Sequence, residues 1–172
     1  MGQDDLYLET AAVYGAALDR LTHAYEADPD KRLDLGQEIR LALWRSFAGW
    51  NGQCSLRTWV YRVAHNAATS YVIRQRRVNA WKLVSLEELE HLPDRDVGWA
   101  ATDQHQAFER LLELIQSLKP LDRQVILSYL EDMDAVSIGE IVGLSSGNVA
   151  TKIHRIKKIL ARWFQEGGLH GR

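Results

Sequence analysis

Apolar residues recur along this chain at helical spacing almost from end to end, and alternating, strand-like runs are nearly absent. Leu6, Val13, Ala17, Leu21 and Tyr25 predict a helix over 6–26, which Asp28-Pro29-Asp30 breaks. A second helix is expected from near Asp34, whose carboxylate can cap it, to about Phe47, with Gly49 ending it. The loop GWNGQCS follows, and a long helix is expected from near Ser55 to about Arg77. Between Trp81 and Gln104 the periodicity fades through Pro93 and Gly98, leaving a linker with room for a short helical turn at 86–92. Helices over 105–118, 121–131, 135–142 and 146–164 complete the set, and the tail GGLHGR is expected to fray. The pattern predicts an all-α chain whose helical parts are separated by an acidic linker over 81–104. Residues 167–172 form a tail. No internal repeat or low-complexity segment interrupts this order.

Composition sets the broad class. A chain of 172 residues fits one ordinary domain or two small ones, and 46% hydrophobic content supports a core and argues against disorder. No apolar run approaches the ~20 residues that cross a bilayer, so no membrane insertion is expected. The opening MGQDDLYLET is acidic where a secretory signal is basic and then apolar. Cys54 stands alone, which excludes an internal disulfide and any CxxC pair; a reduced, cytoplasmic setting is expected.

Charge changes the picture more than composition does. From Met1 to Glu38 there are nine acids and three bases. Between Glu38 and Glu87 acids vanish while eight bases accumulate, from Arg40 to Lys82. Glu87 to Glu113 holds eight acids and two bases, and between Glu140 and Glu166 five bases stand without an acid. Two basic blocks separated by an acidic one suggest two contacts with a single polyanion. The net charge of −2 conceals this.

The second basic block lies in GLSSGNVATKIHRIKKIL. A helix-turn-helix needs a residue tolerant of positive φ in the turn, a small residue four positions earlier and a buried aliphatic six positions later. Gly143, Gly139 and Val149 meet these requirements. Ser145 or Ser146 can cap the second helix, which buries Val149, Ile153, Ile156 and Leu160. Asn148, Thr151, Lys152 and Arg155 then point outward near the end that enters a major groove, with Asn148 and Arg155 best suited to base edges. Lys157, Lys158 and Arg162 lie further along, placed for phosphate.

Two stripes run along DLGQEIRLALW. Leu35, Ile39, Ala42, Leu43 and Phe47 make a buried one; Asp34, Gln37, Glu38, Leu41 and Arg45 make a second, polar except for Leu41. An ordinary amphipathic helix with one stray leucine and an interaction surface rimmed by charge both fit this spacing. The next helix should bury Leu56, Trp59, Val60, Val63, Ala67 and Tyr71 and present Thr58, Arg62, His65, Asn66, Thr69 and Arg76 to the outside. Trp50 and Asn51, in the glycine-flanked loop, are freer to meet a ligand, and an aromatic ring beside a cationic helix suits single-stranded bases. His65 lacks a His or Cys partner at ligand spacing, so no metal is expected. No paired-carboxylate, phosphate-loop or nucleophile pattern stands out; no enzyme activity and no cofactor are expected.

Taken in order, DLGQEIRLALW, LRTWVYRVAHNAA with Arg74-Gln75-Arg76-Arg77, LDRQVILSYLED and IGEIVGLSSGNVATKIHRIKK resemble the extracytoplasmic-function group of bacterial RNA polymerase sigma factors, over 35–77 and 118–160. The resemblance implies a sigma region 2-like domain over 1–80, a region 4-like helix-turn-helix domain over 105–166, and promoter-specific transcription initiation. It implies that Asp34, Gln37, Glu38 and Leu41 dock on the clamp helices of the β′ subunit, with the β flap as a further polymerase contact. It implies that the loop 50–55 captures a flipped base of the −10 element. Trp50, Asn51, Arg57, Thr58, Arg62 and Asn66 would then face −10 DNA, and Arg74, Arg76 and Arg77 its backbone. Ser146, Asn148, Thr151, Lys152, Arg155 and Lys158 would meet the −35 element. The linker would thread toward the RNA exit path, its acidity mimicking nucleic acid there. Core polymerase, promoter DNA and an anti-sigma factor are the implied partners.

Three positions depart from the family pattern. KRL at 31–33 replaces an acidic cluster, Ser70 stands near a frequent aspartate, and Gly139 replaces a usual alanine. Gly139 is expected to loosen the first helix of the pair by ~1 kcal/mol. Two other functions fit part of the pattern: a dimeric helix-turn-helix regulator acting without polymerase, and a sigma mimic that sequesters an anti-sigma factor. Packing of the two domains against one another would bury both basic faces and keep the protein silent.

Overall fold

The computed structural model describes residues 2–76, 83–91 and 104–165. Three helices make the first bundle: α1 (Gln3–Tyr25), α2 (Pro29–Ser46) and α3 (Leu56–Arg76). In α1 the buried stripe is Leu6, Thr10, Ala17, Leu21 and Tyr25, while Val13, expected inside, lies at its solvent edge. The corner into α2 is made by Asp28 and Pro29. Asp28 Oδ1 accepts from the amides of Asp30 and Lys31 at 3.0 and 3.3 Å. Pro29 fills the first helical position, where its missing N–H costs nothing and its fixed φ suits the helix. The cap is therefore Asp28, and α2 begins well before the expected start at Asp34.

A 3₁₀ turn over Phe47–Gly49 ends α2, and Trp59 Nε1 donates to Ser46 Oγ at 2.9 Å, tying this turn to α3. Leu35, Ile39 and Leu43 of α2 meet Val60 and Ala64 of α3 in the core, each essentially solvent-free.

The second bundle comprises α5 (Gln104–Ser117), α6 (Pro120–Leu130), α7 (Ala135–Val142) and α8 (Ser146–Gln165). Its core is Ile115, Leu118, Val125, Ile126, Ile138, Val149 and Ile156. Between the bundles, α4 (Leu86–Glu90) realises the short turn expected in the linker. Over 83–91 the linker is docked: Leu86 and Leu89, three apart on one helical face, are only 2% and 5% exposed. Among the described residues there is no strand, only an isolated bridge between Val84 and Leu118.

The bundles pack on one another through α1 against α5 and through α3 against α6 and α7. The face of α3 expected to look outward therefore looks inward in part. His65 is fully buried and Thr58 nearly so, the latter closed down by its hydroxyl contact to Ser55 Oγ at 2.9 Å. Spacing along one helix identifies its faces but not how many of them a neighbour covers. Among the described residues no helix is long and apolar enough to cross a membrane.

Candidate nucleic-acid interface

Asp34, Gln37, Glu38 and Leu41 lie on one exposed face of α2, as their spacing predicts. They line an open groove of about 560 Å³ whose other walls are Lys31 and, from α3, Tyr71 and Gln75. Leu41 is 46% exposed in it, an apolar side chain with polar company and no cover. Tyr71, read as core from the sequence, has both roles: its ring is buried and its hydroxyl donates to the carbonyl of Lys31 at 3.2 Å. Glu38 pairs with Arg74, which also stacks over the Tyr71 ring at 6.0 Å, so the groove adjoins the cationic end of α3.

The loop before α3 exposes Asn51, whose Oδ1 accepts from the Gln53 amide at 3.2 Å in a tight turn completed by Gly52 at φ 76°. Trp50 is half-buried against the core and its Nε1 is enclosed without a hydrogen-bond partner, so its ring is less free than the glycine-rich loop suggests. Asn66 and Arg74 are exposed on α3. Arg77 lies outside the described residues, and of Arg76 only the backbone is described.

Arg57 and Arg62 reach across to the second bundle, Arg57 while still exposed and Arg62 half-buried. Arg57 donates to the carbonyl of Glu131, the residue that ends α6, and its guanidinium lies 5.9 Å from the centre of the Tyr61 ring. Arg62 donates from Nε and Nη2 to the Glu140 carbonyl at 3.1 and 2.8 Å. That carbonyl belongs to the last turn of α7, and the amide that would have served it, Leu144 N–H, bonds Gly139 instead. Both arginines thus cap helix C-termini, where carbonyls lack amide donors and the helix dipole favours a cation.

Around them the junction is polar and extensively hydrogen-bonded. Arg20 grips Glu131 through two 2.8 Å bonds, and Tyr61 donates to the same carboxylate at 3.1 Å. Arg20 above all holds the Glu131 carboxyl below its usual range. Gln124 donates to Thr69 Oγ1 at 2.9 Å, and buried Arg123 lies 5.1 Å from the centre of the Tyr25 ring. At the centre His65 bonds Tyr25 through Nδ1 at 2.9 Å and Ser128 through Nε2 at 3.2 Å. Burial pushes the His65 imidazole down to about 3. Glu131, Glu140, Ser128 and Gln124 carried no local signal in the sequence, because their partners lie in the other bundle.

In the α7–α8 corner Gly143 has φ 73° and its amide bonds the Gly139 carbonyl at 2.9 Å. Leu144 N–H reaches the same carbonyl at 3.2 Å, which brings the chain directly over Gly139. Val149 is fully buried beneath the turn. Ser145 is the cap, its Oγ accepting from the Asn148 amide at 3.3 Å, and Ser146 is the first residue of α8. A second cap appears at Asp134, which accepts from Val136 and Ser137 amides at 2.9 Å. Asn148, Thr151 and Lys158 are exposed, while Thr151 Oγ1 donates back to the Gly147 carbonyl at 3.0 Å. Lys152 is only 17% exposed, held by the buried carboxylate of Asp122 at 2.6 Å, and Arg155 pairs with Glu87. The surface expected to be free is thus open at Asn148, Thr151 and Lys158 but engaged at Lys152 and Arg155.

Models of sigma-70 region 2 and sigma-70 region 4 match residues 12–78 and 108–160. The RNA polymerase sigma-E factor of Streptomyces avermitilis is 30% identical over 145 residues, 81% of this chain and 74% of that one. The ECF RNA polymerase sigma-E factor of Haemophilus influenzae is 26% identical over 139 residues, 77% of this chain and 74% of the relative. The ECF RNA polymerase sigma factor SigW of Bacillus subtilis is 20% identical over 178 residues, 96% and 92% of the two chains. Among solved structures, CnrH in complex with the cytosolic domain of CnrY has a similar fold, with a TM-score of 0.64 at 16% identity over 92% of this chain and 87% of CnrH.

Proposed function

Because this chain belongs to the sigma-70 family, as an extracytoplasmic-function RNA polymerase sigma factor that directs promoter-specific initiation, we propose a division of that task among its surfaces. The α2 groove at Asp34, Gln37, Glu38 and Leu41 docks core polymerase on its β′ clamp helices. The loop at Trp50 and Asn51, with Thr58 and Asn66, receives an unstacked −10 base, while Arg57, Arg62, Arg74, Arg76 and Arg77 follow the adjoining strand. The α8 residues Ser146, Asn148, Thr151, Arg155 and Lys158 meet the −35 element, and Lys152 braces that face through Asp122. The domains are 1–80 and 105–166, with 81–104 between them. The protein works in the cytoplasm, where polymerase and promoter are, and has no chemistry of its own.

The observation that carries this reading is the exposed groove on α2, apart from the α8 surface, adjoining the cationic end of α3 and rimmed by the charges of Asp34, Glu38 and Lys31. A regulator acting on duplex DNA alone gives that groove no partner. Base-edge contacts on α8 discriminate by about 1–3 kcal/mol each, and phosphate contacts supply affinity that falls with salt. Flipping a base costs a few kcal/mol, recovered in the pocket that receives it. Arg57 and Arg62 are released from the Glu131 and Glu140 carbonyls when the two bundles part, so loading onto polymerase and opening of the junction are coupled. An anti-sigma partner belongs to the same reading; its support is the fold shared with CnrH, which was solved with the cytosolic domain of CnrY bound.

The test is co-elution with purified core polymerase followed by run-off transcription from promoters selected out of a random library. Wild type should co-elute and initiate; Gln37→Ala with Glu38→Ala should lose co-elution at unchanged thermal stability. Tight duplex binding with no polymerase association would favour the regulator, and polymerase binding without initiation the mimic.

A further inference from the structure

Asn148, Thr151, Arg155, Lys158 and Arg162 follow one another at helical spacing and form a single stripe on α8. The first two are open to solvent. Over the rest lies α4. Glu87 pairs with Arg155 and stands 3.6 Å from Lys152. Glu90 stands 3.3 Å from Lys158 and 3.6 Å from Arg155 Nε, and Arg162 donates to the carbonyls of Leu89 and Glu90 at 3.2 and 3.5 Å. Of the cations placed to meet phosphate, Lys158 and Arg162 thus already face a carboxylate and carbonyls of their own chain, Lys158 while still largely exposed, and Lys157 lies over the Tyr129 ring instead.

These ion pairs are not what holds α4 in place. Leu86 and Leu89 are buried, Leu86 N–H donates to Asp122 Oδ2 at 3.1 Å, and Val84 exchanges backbone bonds with Ser117 and Lys119 at 3.0 and 2.9 Å. Glu88, the third carboxylate, points elsewhere: it closes the capping box with Ser85, accepting from its amide at 2.7 Å. Two acids of three are aimed at α8 and the apolar anchors would fix the helix without them.

We propose that α4 is a built-in phosphate surrogate: Glu87 and Glu90 occupy the phosphate-facing half of α8 and hold down the affinity of the free chain for duplex DNA. The helix stays anchored by its leucines, and the carboxylates are what a phosphate must displace. The displaced acids remain close by and repel the incoming phosphate, so the cations act at a discount until base contacts at Asn148 and Thr151 or docking on polymerase add to them. The consequence is a chain that does not settle on bulk DNA. This inference rests on the reading of α8 as the −35 surface.

The experiment measures fluorescence anisotropy of a labelled random-sequence 20-base-pair duplex with the full chain, at several salt concentrations. Glu87→Gln with Glu90→Gln keeps side-chain size and should bind about fivefold tighter or more, with a steeper loss on adding salt as newly freed cations engage phosphates. Either substitution alone should give part of the gain. The charge control is Glu9→Gln with Glu113→Gln, two exposed acids far from α8 in sequence, and it should not reproduce the effect. Adding Arg155→Ala to the double variant should cancel the gain. Equal affinity of wild type and double variant, with Arg155→Ala weakening both, overturns the surrogate and leaves the −35 reading standing. Indifference of duplex binding to every α8 and α4 substitution sinks that reading and the surrogate together.

Discussion

A Cβ built on Gly139 would stand 2.5 Å from the carbonyl oxygen of Leu144, and a clash with backbone cannot be relieved by turning a side chain. The same glycine offers its own carbonyl to two amides, those of Gly143 and Leu144, so the chain crosses over it at close range. Helix propensity alone argues the other way, since alanine should gain about 1 kcal/mol there. That local term is what the sequence made visible, and it led to the expectation of a loosened helix; the overhead carbonyl was not visible. Gly139→Ala should lower the free energy of unfolding by about 1–3 kcal/mol, the usual cost of forcing atoms into a filled space. Urea denaturation measures it, and a raised midpoint would show that the turn has room to spare. Lys152 makes a related point. Its position on the exposed stripe suggested a DNA contact, but the buried carboxylate of Asp122 has claimed it, a partner thirty residues away that no periodicity discloses.

Elements were more legible than single residues because helical spacing is a local property. Each expected helix exists, and the Gly139, Gly143 and Val149 pattern forms the corner it predicted. The start of α2 was missed for a reason that is itself local: Asp34 and Asp28 are both competent caps, and Pro29 decides between them. Asp28→Ala leaves the Asp30 and Lys31 amides without their acceptor and should destabilise the fold by about 1 kcal/mol. Asp34→Ala, on the groove face and capping nothing, should leave stability within about 0.5 kcal/mol of wild type. Comparing the two by thermal or urea denaturation decides which residue starts the helix. Less legible was α3, whose inner face satisfies the first bundle while its outer face meets the second. Thr58, Arg62 and His65 read as exposed because amphipathic spacing reports one buried stripe, and a helix clasped from two sides has two.

At the scale of the molecule, closure of the two bundles turns the arginines proposed to meet DNA into helix caps and places an ionisable ring in the seam. A neutral imidazole offers one donor and one acceptor, and the Tyr25 and Ser128 hydroxyls at 2.9 and 3.2 Å satisfy both. Burial away from water penalises the charged ring, which is why the His65 value falls to about 3 from the ordinary 6.5. Below pH 6.5 the unfolded chain takes up a proton at this position that the closed chain refuses until about pH 3. Stability is therefore lost as pH falls through that window, at up to about 1.4 kcal/mol per unit. Glu131 acts later and with the same direction: its depressed carboxyl stabilises the seam above the ordinary carboxylate value and ceases to do so as pH falls through its folded value. Between pH 7 and 5.5 the carboxylates are silent and His65 acts beside His23, whose imidazole burial also holds down, so the comparison with His65→Gln isolates the His65 share. Wild type should lose about 1 kcal/mol more of its unfolding free energy than His65→Gln over that interval, as read from urea titrations at the two pH values. Because parting the bundles hydrates the same imidazole, mild acid should also favour the open form, in which Arg57 and Arg62 are released from Glu131 and Glu140. Identical pH slopes for wild type and His65→Gln would mean that the ring is already hydrated, and that the seam is not closed in the free protein.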